Sequence, residues 1–352
     1  MKMVFITQAV DVSDPGRATA VRWIDLFANH PDVESVKVMT LNEGIYELPE
    51  NVSVFNFRRK NKLLTLVSFL VASFRVCRQG YRIFFVHQGG KYPIVLATLK
   101  IFFSVRIFQW KAHPVVNKTM YLSARFFDDL VFTCNKSSFP LALNNIRIVG
   151  HGINTDKFSL VDVEKTLDLV TCGRITPRKN IDKAIRLVHL LKIRHNLSVR
   201  LDIYGPVRAG DERYRMELQN LIKQFDLQNS VFLHDPVPQI KLPEILGRHK
   251  IFLNFSRTAL DKATLEAMSV GLIVLSDNEN YAEILTNEFK SRFSSPQHSS
   301  DIELSDLLYK AIKMNRKEAE TIGKQMREIV ISQHADTRLI REIIEHIKSC
   351  LK

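Results

Sequence analysis

Short apolar runs of strand length alternate with amphipathic stretches of helix length along most of the chain. Residues 2–7 begin one such series and residues 167–172 begin another, each as a strand followed by a polar loop and a helix. This alternation predicts an α/β fold in which parallel sheets are flanked by helices. The 352 residues also give the chain the length of two ordinary domains.

A boundary between the two domains is indicated by the charged, irregular segment at residues 159–165, which is typical of a linker. We therefore place a first domain at residues 1–158 and a second at residues 159–336. The last segment, residues 337–352, has apolar positions along one side of a helix. We expect this helix to pack back on the first domain.

The segment from residue 254 to residue 277 reads as the end of a strand, a loop, a helix, a loop and a strand. Asp261 is a good N-cap for the helix, and Gly271 is placed to end it. The helix would then start at the carboxyl end of a strand, where its free amides favour a phosphate. Lys262 and Glu266 lie four positions apart on one face, so both can point at one ligand. The alternative is an ordinary surface ion pair.

Two cations occupy the first loop of the second domain, between a strand and a helix. Arg174 and Lys179 lie just before a helix predicted at residues 181–193, where the free amides and the helix dipole favour anions. Together these groups predict a clamp for a diphosphate. The alternative is a pair of solvated loop cations.

Three residues of the first domain are candidates because each lies in a loop that follows a predicted strand. Gly16 and Arg17 follow the first strand, where a glycine lets the backbone approach a ligand and an arginine can meet its charge. The alternative is a plain loop with a Pro-Gly turn. His113 lies just past a strand predicted at residues 106–110, at the sheet edge where site residues collect. A lone histidine is also often structural.

The net charge of +13 is concentrated in one acid-free segment. Residues 51–127 contain 13 basic residues, 15 aromatic residues and no Asp or Glu. Within it, a helix predicted at residues 63–78 is apolar around most of its circumference. The helix follows four cations: Arg58, Arg59, Lys60 and Lys62. This pattern indicates a helix lying on an anionic membrane surface, with these cations as membrane-binding residues. The alternative is a buried helix with basic ends.

Several classes of protein are not indicated by the sequence. The four cysteines are far apart and lack the spacing of metal ligands, which fits a reducing, cytoplasmic compartment without disulfides. The longest nearly apolar run is too short to span a bilayer, and the start of the chain reads as a strand rather than a signal peptide. We expect no metal site and no nucleic-acid partner, because no motif for either is present.

Three motifs in order resemble those of the GT-B glycosyltransferases, most closely glycosyltransferase family 4. Gly150-His151-Gly152-Ile153-Asn154, with Phe158, resembles the run that precedes the linker in that family. Gly173-Arg174 with Lys179 resembles its donor-phosphate element, and Leu265-Glu266-Ala267-Met268 with Gly271 resembles its "LEAMA.G" element. The resemblance implies two Rossmann-like, doubly wound parallel-sheet domains that face a central cleft.

The resemblance also implies an activity. A family 4 enzyme transfers a sugar from a nucleotide sugar, here a UDP- or GDP-sugar, with retention and without a metal or other cofactor. The second domain would bind the donor and the first a glycan or lipid-linked acceptor, at the inner face of the cell membrane in polysaccharide or lipopolysaccharide biosynthesis. His113 matches the histidine near the donor sugar, although Pro114 replaces the usual acid. The implied donor-binding residues are Gly16, Arg17, Gly173, Arg174, Lys179, Gly205, Leu265 and Glu266.

One position departs from the family pattern. The first of two family glutamates would fall at Thr258, and the usual glycine-rich loop is replaced by Ala259-Leu260-Asp261-Lys262. We expect Thr258, and Asp261 or Lys262 in place of that glutamate, to contact the donor sugar or phosphate, and we include Asp261 and Lys262 among the catalytic residues. The missing glutamate also supports an alternative, a GT-B-like protein that binds a nucleotide sugar or polyanion without turnover.

Overall fold

The computed structural model of the protein describes residues 1–13, 18–257, 259–297 and 299–351. The chain forms two compact units, the first from residues 1–152 and 336–352 and the second from residues 153–335. The division thus follows Gly152 rather than residue 158, because Ile153 already bonds within the second unit: its N–H donates to the His334 carbonyl at 2.7 Å. The segment predicted as a linker is anchored there too, since Lys165 Nζ donates to the Gly271 carbonyl at 2.9 Å.

The first unit is built on a seven-stranded sheet, in the described part of the chain, with the order β3-β2-β1-β4-β5-β6-β7. Every neighbouring pair is parallel. Met3 of the central strand pairs with Val36 on one side and Ile83 on the other. The central strands are buried on both faces, which is why they read as continuous apolar runs. The strands are β1 Lys2–Val10, β2 Ser35–Glu43, β3 Val52–Asn56, β4 Ile83–His87, β5 Arg106–Trp110, β6 Leu130–Thr133 and β7 Ile146–Ile148.

The helices of the first unit include the C-terminal helix, Asp336–Leu351, which packs against α1. Arg22 Nε donates to Asp336 Oδ2 at 3.1 Å, and Lys348 Nζ pairs with Asp32 Oδ2 at 2.7 Å. The others are α1 Ala18–Ala28, α2 Lys62–Arg78, α3 Tyr92–Ala97, α4 Lys118–Leu122, a 3₁₀ helix Thr98–Ile101 and a π-helical turn Ser123–Phe127.

The second unit has a five-stranded parallel sheet, in the described part of the chain, with the order β10-β9-β8-β11-β12. Its strands are β8 Leu167–Cys172, β9 Leu201–Tyr204, β10 Val231–His234, β11 His249–Asn254 and β12 Ile273–Ser276. Its helices are α5 Ile181–His195, α6 Glu212–Gln224, α7 Leu242–Gly247, α8 Lys262–Ser269, α9 Glu279–Ile284, α10 Asn287–Phe293, α11 Asp301–Ile312 and α12 Arg316–His334, with a 3₁₀ helix Pro177–Lys179.

In each sheet the strand order reverses once beside the first strand of the unit. In the first unit this point lies between β1 and β4, and in the second between β8 and β11. Loops that leave the carboxyl ends of such strands diverge to opposite faces of the sheet, which opens a crevice where ligands bind. The sheet topology therefore selects the loops after β8 and β11 in the second unit and the loops after β1 and β4 in the first.

The predicted membrane-surface helix, α2, presents two different faces. Phe69, Ala72 and Val76 are buried against the sheet. The opposite face exposes Leu63, at 69 % of its surface, and Val71, at 50 %. The helix is therefore buried on one face only, and its membrane-surface role stays a prediction. Within the described residues, no helix combines the length and the apolar character needed to cross a membrane.

Candidate functional site

The crevice of the second sheet brings Lys179 and Asp261 together from the loops after β8 and β11. Lys179 Nζ forms an ion pair with Asp261 Oδ2, and Asn254 Nδ2 donates to the same oxygen at 2.8 Å. The other carboxylate oxygen, Oδ1, accepts from the Ala263 amide at 3.4 Å, which confirms Asp261 as the N-cap of α8. Asp261 thus holds the helix start and Lys179 in one place.

Asp261 is ionised in this setting. Burial alone would raise the pKa of Asp261, but the charge of Lys179 and hydrogen bonds from Lys179, Asn254 and the Ala263 amide outweigh it. The pKa of the carboxyl group therefore lies below its usual range. Because both oxygens already have partners, this carboxylate acts mainly as an organiser of the loop.

Glu266 lies on the next turn of α8 and is buried, with 6 % of its surface exposed. Lys262 Nζ lies 3.8 Å from Glu266 Oε1, and the charges of Lys157 and Lys179 also act on this carboxylate. Burial nevertheless dominates and raises the pKa of Glu266. A buried carboxylate whose ion-pair partner lies as far away as 3.8 Å is costly for folding, which is typical of a group kept for ligand binding.

Two glycines let the loops after β8 and β9 touch. Gly173 has a φ of 136°, which favours glycine. A Cβ placed on Gly205 would come within 1.7 Å of the Gly173 carbonyl oxygen. Only glycine at position 205 therefore allows the backbone of the Gly173-Arg174 loop to take its position. The predicted donor contact of Gly205 stays a prediction, but its packing role is clear.

Arg174 extends from this loop into solvent. Its side chain is exposed, and no ion pair joins it to any residue in the described part of the chain. Lys179 in contrast is already neutralised by Asp261. The two cations of the predicted diphosphate clamp are thus in different states, one open to a ligand and one held by a carboxylate.

Other predicted residues fall elsewhere. His113 lies in the first unit, exposed just after β5, where its Nδ1 accepts from the Val115 amide at 3.1 Å. That bond leaves Nε2 to carry the proton of the neutral ring. The side chain of Leu265 is fully buried, so only its backbone remains for the predicted donor contact. The predictions for Gly16, Arg17 and Thr258 lie outside the described residues.

Lys157 and Asn254 are parts of the site that sequence reasoning missed. Lys157 Nζ donates to Gln239 Oε1 at 3.0 Å and contributes positive charge to Glu266. Lys157 belongs to the motif before the linker, and Asn254 ends strand β11. A polar residue at the carboxyl end of a strand was an available signal for Asn254.

In the described ranges, no three His, Cys, Asp or Glu side chains come together in a way that would hold a metal ion.

The first unit has a cavity at the reversal point of its own sheet. Its volume is about 970 Å³, and it lies between the end of β1, the loop after β3, the loop after β4 and the start of α2. All four predicted membrane-binding residues line it: Arg58, Arg59, Lys60 and Lys62. These cations therefore surround a concave site.

The sequence of the second unit matches a known family. The family model described as Glycosyl transferases group 1 matches residues 152–329, about half of the chain. The chain belongs to the glycosyl transferases group 1 family. The matched range contains the whole candidate site of the second unit, including Lys179, Asp261 and Glu266. Comparison with curated protein sequences gives no match.

Solved structures share the fold of this group 1 glycosyl transferase at low sequence identity. The Anabaena protein Alr3699/HepE, solved with UDP and glucose, has a TM-score of 0.77 and 16 % identity, over 99 % of this chain and 100 % of that one. A sucrose-phosphate synthase from Thermosynechococcus elongatus has a TM-score of 0.76 and 14 % identity, with 99 % of each chain covered. A glycosyltransferase from Rickettsia africae has a TM-score of 0.75 and 13 % identity, over 100 % of this chain and 99 % of that one. The predicted GT-B fold is confirmed, and the protein is a glycosyltransferase.

Proposed function

We propose that the protein is a retaining, metal-independent member of glycosyltransferase family 4. It transfers a sugar from a UDP- or GDP-sugar to a glycan or lipid-linked acceptor at the inner face of the cell membrane. The product belongs to a cell-surface polysaccharide or lipopolysaccharide. The observation that carries the proposal is the convergence of Lys179, Asp261 and Glu266 at the start of α8, beside the open guanidinium of Arg174.

The donor fits this arrangement by charge and by hydrogen bonding. The diphosphate meets Arg174, Lys179 and the free amides at the helix start. The buried carboxylate of Glu266 accepts hydrogen bonds from the ribose hydroxyls, which offsets the cost of its burial. Alr3699/HepE, which shares the fold, has been solved with UDP-glucose as well as with UDP. That neighbour supports a uridine nucleotide as the first donor to test.

The reaction is a displacement at the anomeric carbon of the donor sugar. The bond from that carbon to the diphosphate oxygen breaks, and the acceptor hydroxyl forms a new bond on the same face. The acceptor proton moves to the leaving phosphate oxygen, so no protein base is needed. Arg174 and Lys179 stabilise the negative charge that develops on the leaving group. Lys262 and His113 remain candidates for contact with the donor sugar.

The membrane role rests on the exposed face of α2 and on its neighbour, the 3₁₀ helix. Ile101 exposes 78 % of its surface and Phe102, which follows it, 69 %. The Phe74 ring of α2 contacts the Phe102 ring, with centroids 6.3 Å apart, so the two exposed surfaces are continuous. Basic side chains flank this apolar surface, as interfacial helices require.

The test is transfer by the purified full-length protein from UDP- and GDP-sugars to lipid-linked and soluble glycan acceptors. We expect a product whose anomeric configuration, read by NMR, equals that of the donor, and a rate unchanged by a chelator. Inversion of configuration would disprove the retaining mechanism, and loss of rate with the chelator would disprove metal independence. Tight binding of a nucleotide sugar without transfer or hydrolysis would favour the alternative of an inactive binding protein.

A further inference from the structure

The cavity of the first unit has one apolar wall. Its volume of about 970 Å³ is that of a small-molecule site. The rings of Phe57, Phe69 and Tyr92 contact one another, with centroids 5.0 to 5.8 Å apart. The apolar lining residues are Leu41, Phe57, Leu66, Phe69, Tyr92, Val95 and Met120. Phe57 and Phe69 each expose only 1 % of their surface and support the wall from behind. The accessible part of the wall, which can accept an aliphatic chain, consists of Leu41, Leu66, Tyr92, Val95 and Met120.

The remaining lining of the cavity is strongly cationic. Arg58, Arg59, Lys60, Lys62 and Lys91 line it, and its described lining residues contain no Asp or Glu. Arg58 Nη1 donates to Asn42 Oδ1, a neutral partner, at 2.5 Å. Within the described ranges, neither a side-chain hydrogen bond nor an ion pair engages the ammonium group of Lys60, Lys62 or Lys91. Such a concave, positively charged surface attracts an anion, and several of its side chains can donate hydrogen bonds to that anion.

The cavity is also held in shape without a ligand. Lys111 is buried below it, and its Nζ donates to the Gln88 carbonyl at 2.6 Å. Gln88 has a φ of 64°, so this bond fixes a strained turn that forms part of the lining. Asn61 Oδ1 accepts from the Leu64 amide at 2.8 Å and fixes the start of α2 at the cavity mouth. A prearranged site loses less entropy on binding.

The cavity opens onto the exposed face of α2. Lys62 and Leu66 belong both to its lining and to this helix. From Leu66, the exposed side chains of Val67, Val71 and Phe74 continue along the helix as an apolar strip. An anionic group bound by these cations can therefore carry an aliphatic chain that passes over the apolar wall and continues along this strip.

We propose that the cavity binds a phosphate carried on an aliphatic chain, namely the phosphate and first carbons of a lipid-linked acceptor. This inference rests on the proposed function, because it assigns the acceptor class of the same enzyme. Lys60, Lys62 and Lys91 bind the phosphate, and the accessible part of the apolar wall binds the chain. The apolar strip of α2 leads the rest of the chain into the bilayer.

The experiment titrates the full-length protein with geranyl phosphate below its micellar concentration, with geraniol and with inorganic phosphate, by calorimetry. We expect geranyl phosphate to bind at least about tenfold more tightly than either fragment, since the phosphate and the chain each contribute. Reversing the charge at two positions, Lys60→Glu with Lys62→Glu, should weaken its binding by at least about tenfold. The matched control, Arg75→Glu with Arg78→Glu, makes the same charge change near the C-terminal end of α2, away from the cavity, and should leave binding unchanged.

Three outcomes would overturn the proposal. Equal affinity for inorganic phosphate and geranyl phosphate would exclude a contribution of the apolar wall to binding. Equal loss in the two double variants, with unchanged melting curves, would mean general attraction to a basic surface. Binding only to phosphatidylglycerol vesicles, with none to the monomeric ligand, would assign the cations to the membrane surface. A parallel titration with UDP and GDP separates the proposals, because nucleotide binding without geranyl phosphate binding leaves the proposed function standing.

Discussion

Replacing Asp261 with Asn removes the negative charge beside Lys179 and leaves the cap of α8 in place. Asn is as good an N-cap as Asp, so the amide of Ala263 keeps its acceptor. The change therefore removes the two interactions of Oδ2, which are the ion pair with Lys179 between the loops after β8 and β11 and the hydrogen bond from Asn254. The side chains of Lys179 and Asp261 are 18 % and 13 % exposed, so solvent screens the pair only in part.

The expected cost follows from this burial. A charge-assisted hydrogen bond contributes about 1.5–3 kcal/mol, and breaking a fully buried pair costs about 3–5 kcal/mol. For this partly exposed pair we expect a loss of about 2 kcal/mol in the free energy of unfolding of the second unit. For a unit of this size that corresponds to a melting temperature lower by about 4–8 °C. Asp261→Ala should cost about 1 kcal/mol more, because the cap is lost as well.

The assay is urea unfolding of the second unit, followed for the wild type, Asp261→Asn, Lys179→Met and the double variant. The double-mutant cycle should give a coupling of about 2 kcal/mol. Because the pKa of Asp261 is lowered in the folded protein, its contribution is complete above its unfolded pKa of about 4 and is lost as pH falls through the lower folded value. The difference between wild type and Asp261→Asn should thus be equal at pH 6 and pH 8. A cost below about 0.5 kcal/mol with no coupling would refute the idea that Asp261 holds Lys179.

Three further predictions concern neighbouring positions. Glu266→Gln should raise the free energy of unfolding, and more at pH 8 than at pH 5. Burial raises the pKa of Glu266, so its ionisation in the folded protein costs stability as pH rises through that value. Nucleotide-sugar affinity should fall in the same variant, and thermal shift with and without ligand measures both effects. Gly205→Ala should destabilise the second unit by about 2 kcal/mol or more in urea unfolding, because the new Cβ meets the rigid Gly173 carbonyl; an unchanged midpoint would contradict the packing role. Arg174→Ala should leave stability within about 0.5 kcal/mol and lower the transfer rate at least about a hundredfold, whereas Arg178→Ala, in the same loop, should retain the rate; equal rates in both variants would remove Arg174 from the site.

Much of the fold follows from local pattern. The strands expected from apolar runs at residues 2–7, 106–110 and 167–172 are present as β1, β5 and β8, since a strand buried on both faces has few alternatives. The short helices α4, α9 and α10 were not expected. They are 5, 6 and 7 residues long, too short for a helical period to show. The boundary between the units was misplaced because residues 153–165 look irregular but are bound to the second unit by contacts that a pattern cannot show.

The sequence predicts which residues belong to the candidate site, but not which of them contact one another. The position of Lys179 before a helix and of Asp261 at a cap are local facts. Their ion pair joins residues 82 positions apart and depends on the strand order of the sheet. The position of Lys60 and Lys62 around a cavity, rather than on a flat face, likewise depends on the loop after β4. That loop is separated from them in sequence by the length of α2 and β4. Charge and periodicity in the sequence identify the candidate residues, whereas the strand order of the sheet determines which residues they contact.

The C-terminal helix decides which part of the molecule can fold without the end of the chain. The second unit is one uninterrupted segment, residues 153–335, so it can complete in a chain that lacks the last helix. The first unit has to wait, because α1 packs against that helix and Arg22 pairs with Asp336 across 314 positions. A released chain that is truncated just before residue 336 therefore leaves the later half of the protein whole and the earlier half unfinished.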